Sequence, residues 1–194
     1  MNATLIPTKT KVTPDELLRM PDQGKAFELV DGTLTERNKS LFASLVAGAL
    51  FSRLFEYVKS PGLGWLTLRG VSYRCFPDDA DRVRRADVAF HRLTRISSEL
   101  ARSEGHCTIV PDLVVEVVSP NDLADDVNEK RIEWLEAGAQ LVWVIHPVQQ
   151  TVHAYRADGR VDRFKRNDVL TAEPVLPGFQ TPVADLFKLP SEVS

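Results

Sequence analysis

A chain of 194 residues, 43% hydrophobic and 26% charged, is long enough for one domain with a core of its own. The formal net charge of −3 argues against a protein that coats nucleic acid through bulk positive charge, but not against an enzyme that grips it locally. Two cysteines, Cys75 and Cys107, stand far apart with no CxxC pair, which disfavours a disulfide scaffold or a thiolate zinc site and fits a reducing compartment.

The opening, "MNATLIPTKTKVTPDELL", has no long apolar core, so no signal peptide is expected. No stretch reads as a membrane span, so the expectation is a soluble, cytoplasmic protein with no membrane partner. In "TPDELLRMP", Thr13 can cap a short helix, Pro14 suits its first position, Glu16 completes a capping box and Pro21 stops it. "FELVDGTLTER" alternates on either side of Asp31-Gly32, a strong hairpin signal. From Asn38 to Val58 apolar residues recur on a wide helical face, and "PGLG" ends that helix.

"WLTLRGVSYRCF" and "ADVAFHRL" read as strands joined by the polar loop "PDDADRVRR", with a helical segment expected over 95–103. "PDLVVEVVSP" is a buried strand, "SPNDLADDVNEKRIEWLEAG" a helix stopped at Gly138, and "LVWVIHP" a second buried strand. A strand–helix–strand order predicts a parallel pair with a right-handed crossover. "TVHAYRADGRVDRFK" turns at Asp158-Gly159 as a last hairpin, followed by a loop and a short turn at "VADLF". With no repeat or linker, residues 1–194 read as one α/β domain.

Glu116 stands inside the buried strand, where an unpaired carboxylate costs several kcal/mol. Asp112, Val114, Glu116 and Val118 share one face of that strand; Asp87 heads "ADVAFHRL", and Glu28 lies among apolar neighbours in "AFELVDG". Any one of these acids is most simply a structural salt bridge. Together they suggest a shared cation, because clustered carboxylates repel without one, and an all-oxygen donor set suits Mg2+ or Mn2+. Val127, Lys130 and Trp134 share a helix face, so Lys130 either snorkels past the sheet edge or points at the acids.

The chain resembles the Uma endonuclease family, within the PD-(D/E)XK (restriction-endonuclease-like) superfamily, through "FELVDGTL", "RRADVAF", "PDLVVEVVSPND", "EKRIEWLEAGAQLVWVIHP", "TVHAYRADG" and "LPGFQTPVADLF". The resemblance implies a restriction-endonuclease-like core, a mixed β-sheet flanked by helices with an N-terminal β-hairpin, and divalent-metal-dependent phosphodiester hydrolysis. It makes Asp87 and Glu116 the metal-ligating acids and Glu28 the upstream acid; the literal "PD" at Pro111-Asp112 lies on the strand of Glu116 itself, where the superfamily does not usually place its aspartate, so Asp112 is kept as an accessory acid for the metal. Val118 occupies the position of the signature lysine, which Lys130 on the following helix would replace. Ala86 replaces the proline usual before the aspartate, and the long helix lacks the histidine many relatives carry near its start.

Arg82, Arg84 and Arg85 form a basic run just before Asp87, by default a solvated loop and more sharply a phosphate clamp. The four histidines are scattered without ligand spacing, and Trp65, Trp134 and Trp143 read as core. The functional expectation is a Mg2+- or Mn2+-dependent endonuclease acting on DNA, with a homodimer compatible with paired cuts. The rival is a catalytically inactive nuclease-fold module for nucleic-acid binding or protein assembly.

Overall fold

Both residues of the Asp31-Gly32 turn have positive φ, 49° and 74°, as a two-residue hairpin turn matched to strand twist requires. They join β1 (Phe27–Val30) to β2 (Thr33–Glu36) in antiparallel register. The computed structural model describes residues 11–189, so the signal-peptide expectation falls largely outside the described residues. Within them, α1 (Pro14–Arg19) has the full capping box, with Thr13 and Glu16 bonding reciprocally.

The long helix, α2 (Leu41–Lys59), starts three residues later than its apolar pattern suggests, because the Ser40 hydroxyl caps it by accepting from the Ala43 N–H at 3.2 Å. Residues 37–40 are thereby left as an extended link between the hairpin and α2. By length and composition α2 could cross a membrane, which corrects the reading that no stretch reaches that length. One face of it, with Val46, Leu50 and Leu54, packs into the main core.

Six strands form the central sheet: β3 (Gly64–Leu68), β4 (Val88–Arg92), β5 (Leu113–Val117), β6 (Leu141–His146), β7 (Thr151–Arg156) and β8 (Val161–Phe164). They lie in chain order, and only β5 and β6 run parallel. The link between these two is α3 (Ala124–Glu136), as the strand–helix–strand pattern requires. Strand alternation then divides the interior. Val88, Phe90, Val115 and Val117 face α2, while Ala89, Val114, Val142 and Val144 face α3 and its buried Trp134. Asp87 and Glu116 have the parity of this second face.

Several elements differ from the sequence expectation. The strand read over "WLTLRGVSYRCF" stops at Leu68; Tyr73 beyond it makes single bridges to Arg84 and Cys107. Instead of a helix over 95–103 there are two short 3-10 turns, Leu93–Arg95 and Leu100–Arg102. The C-terminal loop contains a further hairpin, β9 (Val169–Ala172) and β10 (Leu176–Pro182). A register shift between Leu176 and Gln180, and the prolines and glycine of "LPGFQTP", conceal its alternation.

Candidate active site

Val88 lies opposite Val115, so one further step of the β4–β5 register sets Asp87 opposite Glu116, on the face covered by α3. The Asp87 carboxylate is fixed by the Val117 N–H, which donates to Oδ2 at 2.8 Å. Glu28 arrives from β1, which is tied to the loop before β4 by reciprocal backbone bonds between Leu29 and Val83. Three acids from different parts of the chain are thus brought together, each under 5% exposed.

Lys130 resolves the two alternatives for its direction: it points at the sheet. Its ammonium donates to Glu28 Oε1 at 2.7 Å, to the Arg85 carbonyl at 2.7 Å and to Glu116 Oε2 at 3.0 Å. All three of its donors are therefore in use. One turn on, the Trp134 indole N–H donates to Glu116 Oε1 at 3.0 Å. Trp134 is core, as its pattern indicated, and also orients the acid.

Two further cations complete the cluster, and the sequence reading did not single out either. Arg37 Nη1 lies 2.6 Å from Glu28 Oε1, and its Nη2 lies 3.3 Å from Glu116 Oε2 and 3.5 Å from Asp87 Oδ1. Lys39 Nζ lies 3.3 Å from Asp87 Oδ2 and 3.0 Å from Asp122 Oδ2, and it donates to the Val117 carbonyl at 2.5 Å. Both come from the extended link between β2 and α2. One signal for them was available: three buried acids and a single lysine leave two negative charges without partners.

The electrostatics follow. Burial alone would raise the Glu28 pKa; the ammonium of Lys130 and the guanidinium groups of Arg37 and Arg84 overcome it and hold the carboxyl well below its usual range. Burial pushes Lys130 down, and so does the neighbouring Arg37, against the pull of Glu116 and Glu28. Glu28, Asp87 and Glu116 face Arg37, Lys39 and Lys130, so this inner cluster is formally neutral.

Other candidates are placed differently. Asp112 does not join the cluster. It lies at the other end of β5, four extended residues or about 13 Å from Glu116, and its carboxylate holds the Arg92 N–H at 2.9 Å and the Arg92 and Arg95 guanidinium groups at 3.0 and 3.2 Å. His91, cross-strand from it, is fully buried and bonded to the Tyr73 hydroxyl at 3.2 Å. The run at 82–85 is not a solvated loop: its three arginines are engaged by protein partners, and Arg84 also lines the cleft on which the cluster opens. Arg84 forms a two-pronged pair with Glu133 at 2.6 and 2.8 Å, and Arg85 donates to backbone carbonyls of Phe27 and Gly70 at 3.0 and 2.8 Å. Arg82 is held by Asp78 at 2.7 Å and Glu133 at 3.3 Å. These arginines neutralise buried acids and saturate loop carbonyls.

The cluster opens on a cleft of about 250 Å³ between the 37–39 link and the first turns of α3. Glu28, Arg37, Lys39, Arg84, Glu116 and Lys130 line it. Among the described residues, no three His, Cys, Asp or Glu side chains converge with metal-ligand geometry. Two carboxylates do fit a hard cation, because a single nitrogen of Arg37 lies within 3.5 Å of both Asp87 and Glu116. A pair of carboxylates, the remaining positions being water or phosphate, is an ordinary Mg2+ site.

The profile of the Uma2 family, described as "Putative restriction endonuclease", matches residues 14–184. The chain belongs to this family. No curated protein matches it. Among solved structures it is similar to a putative nuclease from Anabaena variabilis, at 22% identity and a TM-score of 0.76, over 91% of this chain and 97% of that one. That likeness carries the fold, a mixed sheet flanked by helices. Membership of Uma2 places the chain among nuclease-type hydrolases, and the matched span includes Glu28, Asp87, Glu116 and Lys130.

Proposed function

We propose that this chain is a divalent-metal-dependent endonuclease acting on DNA, with its reaction centre at Asp87, Glu116 and Lys130. One observation carries the reading: two acids opposed across adjacent strands, with a buried ammonium 3.0 Å from Glu116, the one of the two that lines an open cleft. Asp87 and Glu116 would hold Mg2+ or Mn2+. Such an ion supplies charge neutralisation at a scissile phosphate and lowers the pKa of the water it binds.

The chain's own residues have separate tasks. Trp134 and the Val117 N–H keep one oxygen each of Glu116 and Asp87 fixed, so the acids do not reorganise when loaded. Glu28 draws no ion itself, because both its oxygens are committed to Lys130, Arg37, Arg84 and the Arg85 N–H; it is a positioning residue. Lys130 reaches an attacking water by exchanging its bond to Glu116 for one to that water. Withdrawal of Glu116 charge towards a cation favours this exchange.

The formal neutrality of the cluster favours a second reading, a nuclease-fold module that binds nucleic acid or a protein without cutting. A plasmid cleavage assay with Mg2+, Mn2+ or chelator separates the two. Expected is metal-dependent cutting by the wild type, lost in Glu116→Ala and in Lys130→Ala. A folded protein that neither cuts nor binds metal supports the module instead.

A further inference from the structure

Asp87 is missing from the lining of the cleft, whereas Arg37 and Lys39, the two cations paired with it, form part of the wall. Arg37 therefore stands between the acid and solvent. Its Nη2 lies within 3.5 Å of both Asp87 Oδ1 and Glu116 Oε2, and these are the two acids that would hold the divalent ion. We propose that the Arg37 guanidinium is a displaceable internal counter-cation, occupying the place of the divalent ion and leaving it when that ion binds. The inference rests on the metal-dependent reading above and adds to it a residue that sets metal affinity.

The surroundings distinguish Arg37 from the other two cations. Lys130, on α3 and at the edge of the same cleft, has all three of its donors used. Lys39 is held at both ends of its reach, by Asp122 and the Val117 carbonyl. Arg37 lies on the extended link outside regular structure, and its side chain is the most exposed of the three at 10%. Its backbone is anchored, since its N–H donates to the Ala26 carbonyl at 2.9 Å and its own carbonyl accepts from Arg69. For the side chain to turn while the link stays in place, its Nη1 must give up Glu28 Oε1 and the Arg85 carbonyl, both of which Lys130 also bonds. Glu36, Asp126 and Glu129 line the same cleft and offer the displaced guanidinium a second set of carboxylates.

The electrostatic argument runs the same way. The three acids and three cations of the inner cluster balance one another, and adding an ion beside Arg37 would place two cations within a few ångströms in a low-dielectric setting. Removing Arg37 leaves a net charge of −1 and an unshielded Asp87. If the position is open in a tenth or less of the molecules, the apparent metal affinity of the wild type is reduced by about tenfold or more.

The test is isothermal titration of the full chain with Mn2+, comparing wild type, Arg37→Gln and Arg37→Lys. Expected is Mn2+ binding about tenfold or more tighter in Arg37→Gln, with Arg37→Lys between the two. Measurable binding by the wild type with equal or weaker binding by Arg37→Gln overturns the inference and leaves the metal-dependent reading intact. No binding by either protein overturns both. Should Arg37→Gln fold only with metal, circular dichroism follows refolding as Mn2+ is added. Refolding below the wild-type dissociation constant supports the inference, and failure to refold at any concentration makes Arg37 purely structural.

Discussion

Lys130 and Glu116 meet at 3.0 Å although one lies on a helix and the other on the strand before it. The position two residues after the glutamate is Val118, so the ammonium reaches the acid from α3 and not from the strand itself. The pair is buried, so each partner depends on the other. Lys130→Ala leaves Glu28 and Glu116 short of a cation in the interior, at a cost of about 3–5 kcal/mol. Calorimetry should show a melting temperature lower by roughly 6–20 °C for a domain of this size. Lys130→Arg should not restore either stability or cleavage, because a planar guanidinium cannot match the three directions in which the ammonium donates. Full stability in Lys130→Ala would contradict the buried cluster.

Arg84 and Arg85 carry a different prediction. Arg84 bridges Glu133 and Glu28, and Arg85 closes the loops around Gly24 and Gly70. Arg84→Gln should therefore lower stability by roughly 3 kcal/mol, as it removes the two-pronged partner of buried Glu133 and leaves it only Arg82 at 3.3 Å among the described residues. For a chain that binds DNA as proposed, the slope of log affinity against log salt should remain that of the wild type, since both side chains are already held by protein groups. Fluorescence anisotropy at several salt concentrations measures it; a slope reduced by about one per arginine removed would return these residues to the nucleic-acid interface.

What could be read from the sequence divides along physical lines. Turns with fixed backbone chemistry, such as Asp31-Gly32, and strands buried on both faces, such as 113–117, are local signals, and the structure follows them. Glu28, Asp87, Glu116 and Lys130 were legible because each is a charge in an apolar pattern. Arg37 and Lys39 were not, because "TERNKS" looks like an ordinary polar link, and only the tertiary placement of that link turns two surface-type cations inward. Arg82–Arg85 misled for the converse reason: a basic run in a polar loop has no sequence mark that its partners, Glu28 and Glu133, are buried. Asp112 had the right face but the wrong end of the strand, a distinction that parity cannot make.

Gly48 sits in the middle of α2, and a Cβ placed there meets nothing within 4 Å. Glycine in a helix interior is about 0.5–1 kcal/mol less favourable than alanine. Gly48→Ala should accordingly stabilise the isolated chain by about that amount in urea unfolding, with an unchanged dependence on denaturant concentration. A destabilised variant would mean that something packs against this helix face in solution.

Acidification should weaken the fold through His91 before Glu28 is protonated. His91 is fully buried, and burial lowers its pKa from 6.5 to about 4. A depressed histidine remains neutral in the folded chain while the unfolded chain takes up a proton, so stability falls as pH drops from about 6.5 to about 4. Its share is roughly 3 kcal/mol across that window, at up to about 1.4 kcal/mol per pH unit. Glu28, whose folded pKa is depressed, contributes stability above the ordinary carboxylate range and loses it only below about pH 4.5. Urea unfolding at pH 7, 6 and 5 isolates the histidine. His106, His146 and His153 are also shifted down by burial and will add to the wild-type slope. His91→Gln should remove up to one proton's worth of that slope between pH 6.5 and 5. An unchanged slope in the variant would show that His91 is protonated in the folded chain, with Asp112 placed to hold its charge.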